Sequence, residues 1–133
     1  MKYLIDTNVF MQVLRQRDQA ESCLTFLNTR LSQSAITSFS LATLCLLGEK
    51  FRQEQLTHRF LISLLAQGLS VLETTYFDLT SLLIEKKSLG LRFDDAIQFA
   101  TAREHQLTLV TLDQDFRHLK KQISIKTPAE MCR

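Results

Sequence analysis

The sequence predicts a three-layer α/β/α sandwich with a mainly parallel central sheet. Short apolar runs of strand-forming residues alternate with longer segments in which apolar residues recur at helical spacing. Such alternation is typical of βα units, whose helices return the chain so that successive strands lie parallel. The runs at 3–5 and 108–111 are each closely followed by an aspartate, Asp6 and Asp113. Ligands bind beyond the carboxyl ends of parallel strands, so this fold places both carboxylates where a cleft forms.

The first half of the chain combines two strands with four helices. Val9, Phe10, Val13 and Leu14 share one helical face, and they define the first helix. The predicted elements are a strand at 3–5, a helix that opens near Val9 and ends among residues 15–17, a helix capped by Asp18 that ends near 31, a strand at 35–37, a helix capped by Ser38 or Ser40 that ends near Lys50, and a helix at 57–66. The polar residues 53–55 connect the last two helices.

Glycines and a proline delimit the elements of the second half. Gly68 and Gly90 each end a helix, as glycine commonly does just past a helix C-terminus, and Pro128 closes the domain. The predicted elements are a strand at 69–72, a helix at 77–87 with Leu79, Leu82 and Leu83 inward, a helix opened by Asp94 and Asp95 that reaches His105, a strand at 108–111, a short helix within 113–119, and a short last strand at 123–125.

The composition indicates one ordinary globular domain spanning residues 1–133. The chain is 45% hydrophobic and 23% charged, and its net charge of +2 indicates no basic tail, so a polyanion would bind through a local patch. We recognise neither a signal peptide nor a membrane-spanning run, and we therefore expect a cytoplasmic protein without membrane contact. Of the three cysteines, Cys23 and Cys45 lie among apolar residues and are expected to be buried thiols.

Three acidic residues share one structural context. Asp6 and Asp113 follow predicted strands, and Asp95 lies in the first turn of a helix, so all three can converge at one edge of the sheet. Carboxylates brought so close repel one another unless a cation holds them. Hard oxygen ligands suit Mg²⁺ or Mn²⁺, which can activate a bound water and stabilise charge on a phosphoryl oxygen.

Simpler roles compete for the same residues. Asp6 or Thr7 can serve only as the cap of the first helix, and Asp94 or Asp95 can cap a later one, each for roughly 1 kcal/mol. We assign the capping role to Asp94 and keep Asp95 in the metal site. Asp113 receives the metal role and its neighbour Asp115 a supporting one, although either can be a turn-former.

Four segments resemble the PIN domain family, and within it the small VapC-type ribonuclease toxins. They are residues 3–8 (YLIDTN), 95–102 (DAIQFATA), 109–116 (LVTLDQDF) and 125–128 (IKTP). The resemblance covers nearly the whole chain. It implies a PIN-like fold and a metal-dependent endoribonuclease, the toxin of a toxin–antitoxin pair.

The resemblance also implies roles for individual residues and for partners. Asp6, Asp95 and Asp113 match family acids that bind Mg²⁺ or Mn²⁺ and activate water, which makes them the candidate catalytic residues. Thr7, Asn8 and Thr111 match polar neighbours that orient these acids. Such toxins act on RNA, are encoded with an antitoxin protein that blocks the active site, and commonly form homodimers.

One family acid is absent. The family usually carries a glutamate early in the third helix, and the matching run, residues 40–43 (SLAT), has Thr43 in that place. If Ser40 caps the helix, position 43 is the third residue of a capping box, where a glutamate would meet the positive helix end. Thr43 supplies a hydroxyl and no charge, so we expect weakened metal binding rather than its complete loss.

Other functions remain open. A catalytically weakened PIN domain would act as an RNA-binding or protein-interaction module. A receiver domain would need a second acid beside Asp6 and a late lysine, and a haloacid-dehalogenase-type phosphatase would need an aspartate where Asn8 stands. Both of these fit poorly.

Substrate and partner contacts are weaker predictions. Arg15, Arg17 and Arg92 lie near the inferred active edge and can meet phosphates, although ordinary solvated arginines are an equal alternative. The apolar helices at 41–47 and 60–65 fit protein interfaces, and burial within the monomer explains them equally well.

Overall fold

The sheet has five strands, and all of its pairings are parallel in the computed structural model, which describes residues 1–74 and 76–132. The strands are β1 (Tyr3–Ile5), β2 (Ser34–Thr37), β3 (Ser70–Leu72), β4 (Thr108–Val110) and β5 (Ile125–Lys126). Their spatial order is β3-β2-β1-β4-β5. The last strand lies at residues 125–126 rather than at the predicted 123–125.

Seven α-helices connect and flank the strands in the described part of the chain. They are α1 (Thr7–Leu14), α2 (Ala20–Arg30), α3 (Ser38–Lys50), α4 (Glu54–Ala66), α5 (Tyr76–Leu89), α6 (Phe93–His105) and α7 (Pro128–Met131). Two 3₁₀ turns, Leu31–Gln33 and Gln114–Leu119, join α2 to β2 and follow β4. Helix α4 begins at Glu54, three residues before the predicted start at Thr57, because Glu54 is favourable in a first helical turn.

The helices cover both faces of the sheet, as the alternation of side chains along the strands requires. Leu4 of β1 and Leu109 of β4 pack against α5 and α6, whereas the neighbouring Ile5 and Val110 pack against α1 to α4. Two hydrophobic cores thus enclose the strands. The predicted three-layer α/β/α sandwich is confirmed.

Strands are added to both sides of β1, although all of them run parallel. From β1 the chain adds β2 and β3 on one side, and it then crosses back to add β4 and β5 on the other. The crossover leaves a crevice beyond the carboxyl ends of β1 and β4, which is where ligands bind in open parallel sheets. Asp6 follows β1 and Asp113 follows β4, so the topology brings both to this crevice.

Three predictions of detail are wrong. Thr37, not Ser38 or Ser40, caps α3, because its side chain accepts a hydrogen bond from Ser40 N at 2.9 Å. Helix α2 follows Gln19 rather than Asp18. Of the residues expected to point inward, Leu83 is 57% exposed.

The cysteines differ from each other. Cys23 of α2 is buried in the core, as predicted, whereas Cys45 lies on the solvent-facing side of α3 and is exposed. No helix in the described ranges is long and apolar enough to cross a bilayer.

Helices α3 and α4 approach closely at Gly48. A Cβ atom built on Gly48 would lie 2.6 Å from Oγ1 and 2.9 Å from Cβ of Thr57, which is itself buried. These distances are shorter than van der Waals contact allows. The absence of a side chain at Gly48 therefore sets the spacing of the two helices.

We expect Gly48→Ala to destabilise the protein by about 1–3 kcal/mol, because overpacking outweighs the better helix propensity of alanine. Urea unfolding followed by circular dichroism measures the change. Ala42→Gly, at an exposed position of α3, is the control for propensity alone. A gain in stability for Gly48→Ala would show that the helices can separate without loss.

Candidate active site

Asp6 lies between the central strand β1 and the first helix α1. It directly follows β1 and is the N-cap residue of α1, where its Oδ1 accepts a hydrogen bond from Thr7 N at 2.8 Å. Its side chain is only 6% exposed. Asp6 therefore caps α1. Because its carboxylate is also buried, it needs hydrogen-bond donors in addition to Thr7 N.

Four hydrogen bonds hold the Asp6 carboxylate, two on each oxygen. Oδ1 accepts from Thr7 N and from Gln98 Nε2 at 3.2 Å. Oδ2 accepts from Thr111 Oγ1 at 2.7 Å and from Asn8 Nδ2 at 3.3 Å. A carboxylate has about four acceptor positions, so its donors come close to satisfying it completely. Asp6 is thereby fixed in position and orientation.

Asp95, Asp113 and Asp115 form a compact acidic cluster. One carboxylate oxygen of each lies within 4.8 Å of those of the other two. Asp95 lies in the first turn of α6, and Asp113 and Asp115 lie at the start of the 3₁₀ turn after β4. Asp113 is held by Thr111 Oγ1, which accepts from its backbone N at 3.0 Å, and its own Oδ1 accepts from Asp115 N at 2.9 Å.

These elements surround a cleft of about 290 Å³. Its walls combine acids, neutral polar groups and two apolar side chains. The lining residues are Asp6, Thr7, Asn8, Met11, Phe39, Thr43, Asp94, Asp95, Gln98 and Asp113. The structure thus brings Asp6, Asp95 and Asp113 to one cleft, with Asp115 beside it and Thr111 beneath Asp6 and Asp113.

Burial and mutual repulsion make it unfavourable for the acids to be charged. Loss of solvent, together with the nearby carboxylates of Asp94, Asp113, Asp6 and Asp115, raises the pKa of Asp95 to about 7. Burial also raises the pKa of Asp6, although hydrogen bonds from Thr111, Thr7 and Gln98 oppose this effect. A cation in the cleft would reverse both shifts.

The donor set fits a hard divalent cation. Mg²⁺ and Mn²⁺ prefer carboxylate oxygens and retain several waters, and the three clustered carboxylates could share one such ion. Burial is the largest cause of the raised pKa of Asp95, and repulsion by the neighbouring carboxylates adds to it; a cation would relieve this repulsion.

Thr43 lines the cleft, but its hydroxyl donates to the backbone carbonyl oxygen of Phe39 at 2.9 Å. Because Thr37 caps α3, Thr43 lies in the second helical turn and is not the third residue of a capping box. The predicted capping-box position is therefore wrong. The helix dipole would favour a glutamate here less than the sequence suggested.

The three candidate arginines do not line this cleft. The guanidinium of Arg15 lies 3.7 Å from the centre of the Phe51 ring, at the far ends of α1 and α3. Arg17 is exposed, and Arg92 is the exposed residue that precedes α6. Their contact with phosphates stays a prediction.

Two site residues were missed by the sequence analysis. Gln98 and Ser40 are both buried, and Gln98 Nε2 donates to Ser40 Oγ as well as to Asp6. Ser40 Oγ also accepts from Thr7 Oγ1 at 2.9 Å. One signal was available, since Gln98 follows Asp95 by three residues and therefore lies on the same face of α6. Its partner Ser40 is distant in sequence, and no local pattern identifies it.

Comparison with known families decides the classification. The model of the PIN domain family matches residues 3–122, which is most of the chain. The protein belongs to the PIN domain family. No curated protein matches the chain.

Several solved structures have a fold similar to that of this chain. A toxin–antitoxin complex from Klebsiella pneumoniae is 24% identical, with 96% of this chain and 98% of that chain covered and a TM-score of 0.73. VapBC2 from Rickettsia felis, bound to a promoter DNA fragment, is 20% identical, with 96% of this chain and 98% of that chain covered and a TM-score of 0.73. FitAcB from Neisseria gonorrhoeae is 20% identical, with 95% of this chain and 97% of that chain covered and a TM-score of 0.68. Identities this low show similarity of fold.

The raised pKa of Asp95 predicts how stability depends on pH without metal. Between its ordinary value of 3.8 and about 7, the folded protein keeps a proton that the unfolded chain releases. This stabilisation is fully present below about pH 4 and is lost as the pH rises to about 7. We expect wild type to lose about 1 kcal/mol more than Asp95→Asn over this window, after allowance for solvent screening.

Urea unfolding of the metal-free proteins at several pH values measures this difference. The exposed Asp18 lies outside the cleft, so Asp18→Asn is the control and should follow wild type. Identical pH profiles for wild type and Asp95→Asn would show that Asp95 titrates normally.

Proposed function

We propose that this PIN domain is a metal-dependent endoribonuclease that hydrolyses RNA phosphodiester bonds, as the toxin of a toxin–antitoxin pair. The observation that carries the proposal is the clustering of Asp95, Asp113 and Asp115 within 4.8 Å beside the buried Asp6. The cluster lies at the crevice where the strand order reverses, and the family model matches residues 3–122.

The proposal assigns roles to the chain's own residues. Asp6, Asp95 and Asp113, supported by Asp115, would hold Mg²⁺ or Mn²⁺. When bound, the ion would lower the pKa of a water and stabilise charge on a phosphoryl oxygen. Thr111 positions two acids at once, because its hydroxyl donates to Asp6 and accepts from Asp113 N. Asn8 and Thr7 complete the support of Asp6.

A second candidate function has a specific observation in its favour. Thr43 brings no charge to the cleft, and its hydroxyl is engaged with Phe39 O. A site with one acid fewer holds a divalent ion less strongly. A catalytically weakened PIN domain that binds RNA or a protein partner is therefore the alternative.

We also propose an antitoxin protein as partner. The structural neighbours include toxin–antitoxin complexes. Helices α3 and α4 carry more apolar surface than the monomer buries, since Leu46 is 66% and Ile62 is 53% exposed. A groove of about 340 Å³ between these helices is mainly apolar. A homodimer and action in the cytoplasm complete the proposal, and light scattering of the purified protein tests the dimer.

Asp113→Asn should reduce RNA cleavage by at least about 100-fold, because it removes a charge from the proposed metal site. The amide can retain an oxygen that accepts from Asp115 N, so the fold should survive. Cleavage of a defined RNA with Mg²⁺, with Mn²⁺ and with excess chelator measures the effect, and Asp18→Asn is the control.

Two results would contradict this assignment. Cleavage that persists in excess chelator would exclude the metal mechanism. A wild-type protein that binds RNA or a partner but cleaves no RNA under any condition would favour the weakened PIN domain.

Thr43→Glu should strengthen metal binding, since it returns a carboxylate to the cleft wall. We expect the Mg²⁺ concentration for half-maximal cleavage to fall by about tenfold. Thr43→Gln, which has the same length without the charge, is the matched control. Equal Mg²⁺ requirements for wild type and Thr43→Glu would mean that position 43 does not reach the ion or that another group supplies the charge.

A further inference from the structure

Gln98 occupies an unusual position for an amide. It is 2% exposed and lies on a helical face whose neighbours Ala96, Ile97 and Phe99 are completely buried. Its Nε2 donates both to Asp6 Oδ1 and to Ser40 Oγ. The orientation of the amide is determined by these partners, because Asp6 offers only acceptors and a carbonyl oxygen placed there would be repelled.

The other half of the same amide is unsatisfied within the described residues. Gln98 Oε1 is buried and has no hydrogen-bond partner in the protein. A buried polar atom without a partner is destabilising, and an apolar side chain of equal length would avoid it. The glutamine therefore has a cost that only the contacts of its Nε2 with Asp6 and Ser40 can offset.

The contacts of Gln98 join the parts of the cleft that come from distant segments. Asp6 ends β1, Ser40 lies in the first turn of α3, and Gln98 itself lies one turn beyond Asp95 in α6. Ser40 is also linked to Thr7, so the connected groups return to the start of α1. Helix α3 is the element that carries Thr43 in place of the family's usual glutamate.

We propose that Gln98, acting with Ser40, is a positioning residue that fixes Asp6 for divalent-cation binding in a cleft that lacks the α3 carboxylate. The proposal rests on the proposed metal site and deepens it. The amide links α3 to the acids through neutral hydrogen bonds, where a glutamate on α3 would contribute charge. It holds Oδ1 of Asp6 while Thr111 and Asn8 hold Oδ2.

Gln98→Met tests the proposal, because methionine has nearly the same length and shape but no donor. The probe is Mn²⁺ alone, titrated into the metal-free full chain by isothermal titration calorimetry. We expect about tenfold weaker Mn²⁺ binding, as is typical when a group supporting a metal ligand is removed. Urea unfolding measures the accompanying change in stability, in which the donor lost to Asp6 and the removal of the unsatisfied carbonyl oxygen act in opposite directions.

Thr101→Val is the matched control. Thr101 lies one turn further along α6, is also buried, and donates its hydroxyl to Ile97 O at 2.7 Å without contacting Asp6. This variant should bind Mn²⁺ as wild type does. Ser40→Ala should weaken binding in the same direction as Gln98→Met, and the double variant should show less than the sum of the two effects, because both act through one connection.

The outcomes separate this proposal from the one on which it rests. If wild type binds Mn²⁺ and Gln98→Met binds it equally well, the positioning role is excluded while the metal site stands. If Thr101→Val weakens binding as much as Gln98→Met, the effect is a general consequence of disturbing α6, and the positioning role is again excluded. A wild type that binds no Mn²⁺ would overturn the metal site and the positioning role together.

Discussion

The buried carboxylate of Asp6 is the constraint on which the site depends. A charged group that is almost completely buried is unfavourable unless donors compensate for the water it has lost. Here the compensation comes from three segments: the first turn of α1 through Thr7 and Asn8, the residue after β4 through Thr111, and the middle of α6 through Gln98. These groups meet only when β1 lies beside β4 and α6 packs over both. Formation of the site and formation of the central sheet are therefore one event.

The clustered acids add a second constraint. Their mutual repulsion destabilises the site, whereas the hydrogen bonds to Asp6 stabilise it. Asp95 and Asp113 are near neighbours because the crossover at β1 brings the ends of β1 and β4 and the start of α6 to one crevice. Their proximity destabilises the metal-free fold, as the raised pKa of Asp95 indicates. Because the supporting hydrogen bonds are made with neutral groups, they do not cancel the negative charge. The cleft is therefore acidic, and a bound cation would lower the repulsion among its carboxylates.

The parts of this arrangement that depend on local pattern were predictable. Strand ends carrying Asp6 and Asp113, the helix start at Asp95 and the alternation of strands and helices are visible within short windows. Contacts between distant segments were not predictable. Ser40 meets Gln98 across the cleft, 58 positions apart. The cap of α3 is a local contact, but Thr37 also belongs to β2, so a choice among neighbouring Ser and Thr residues needs the end of that strand to be known. Cys45 shows the same limit, because its helix is apolar on several sides and the sequence does not say which side faces the sheet.

Under the proposed function, the charges on either side of Asp113 predict how metal binding and RNA binding affect each other. The acidic cleft lies on one side of Asp113, and on the other side Arg117, Lys120 and Lys126 line a second, smaller pocket. RNA is a polyanion and is repelled by the first and attracted by the second. A divalent ion in the cleft would offset the negative charge of the acidic side and so reduce its repulsion of RNA. The positive charge of the basic side would not change. Metal and RNA therefore favour each other's binding, and by linkage each raises the affinity for the other by the same factor. On this argument the weaker metal binding expected from Thr43 also weakens RNA binding.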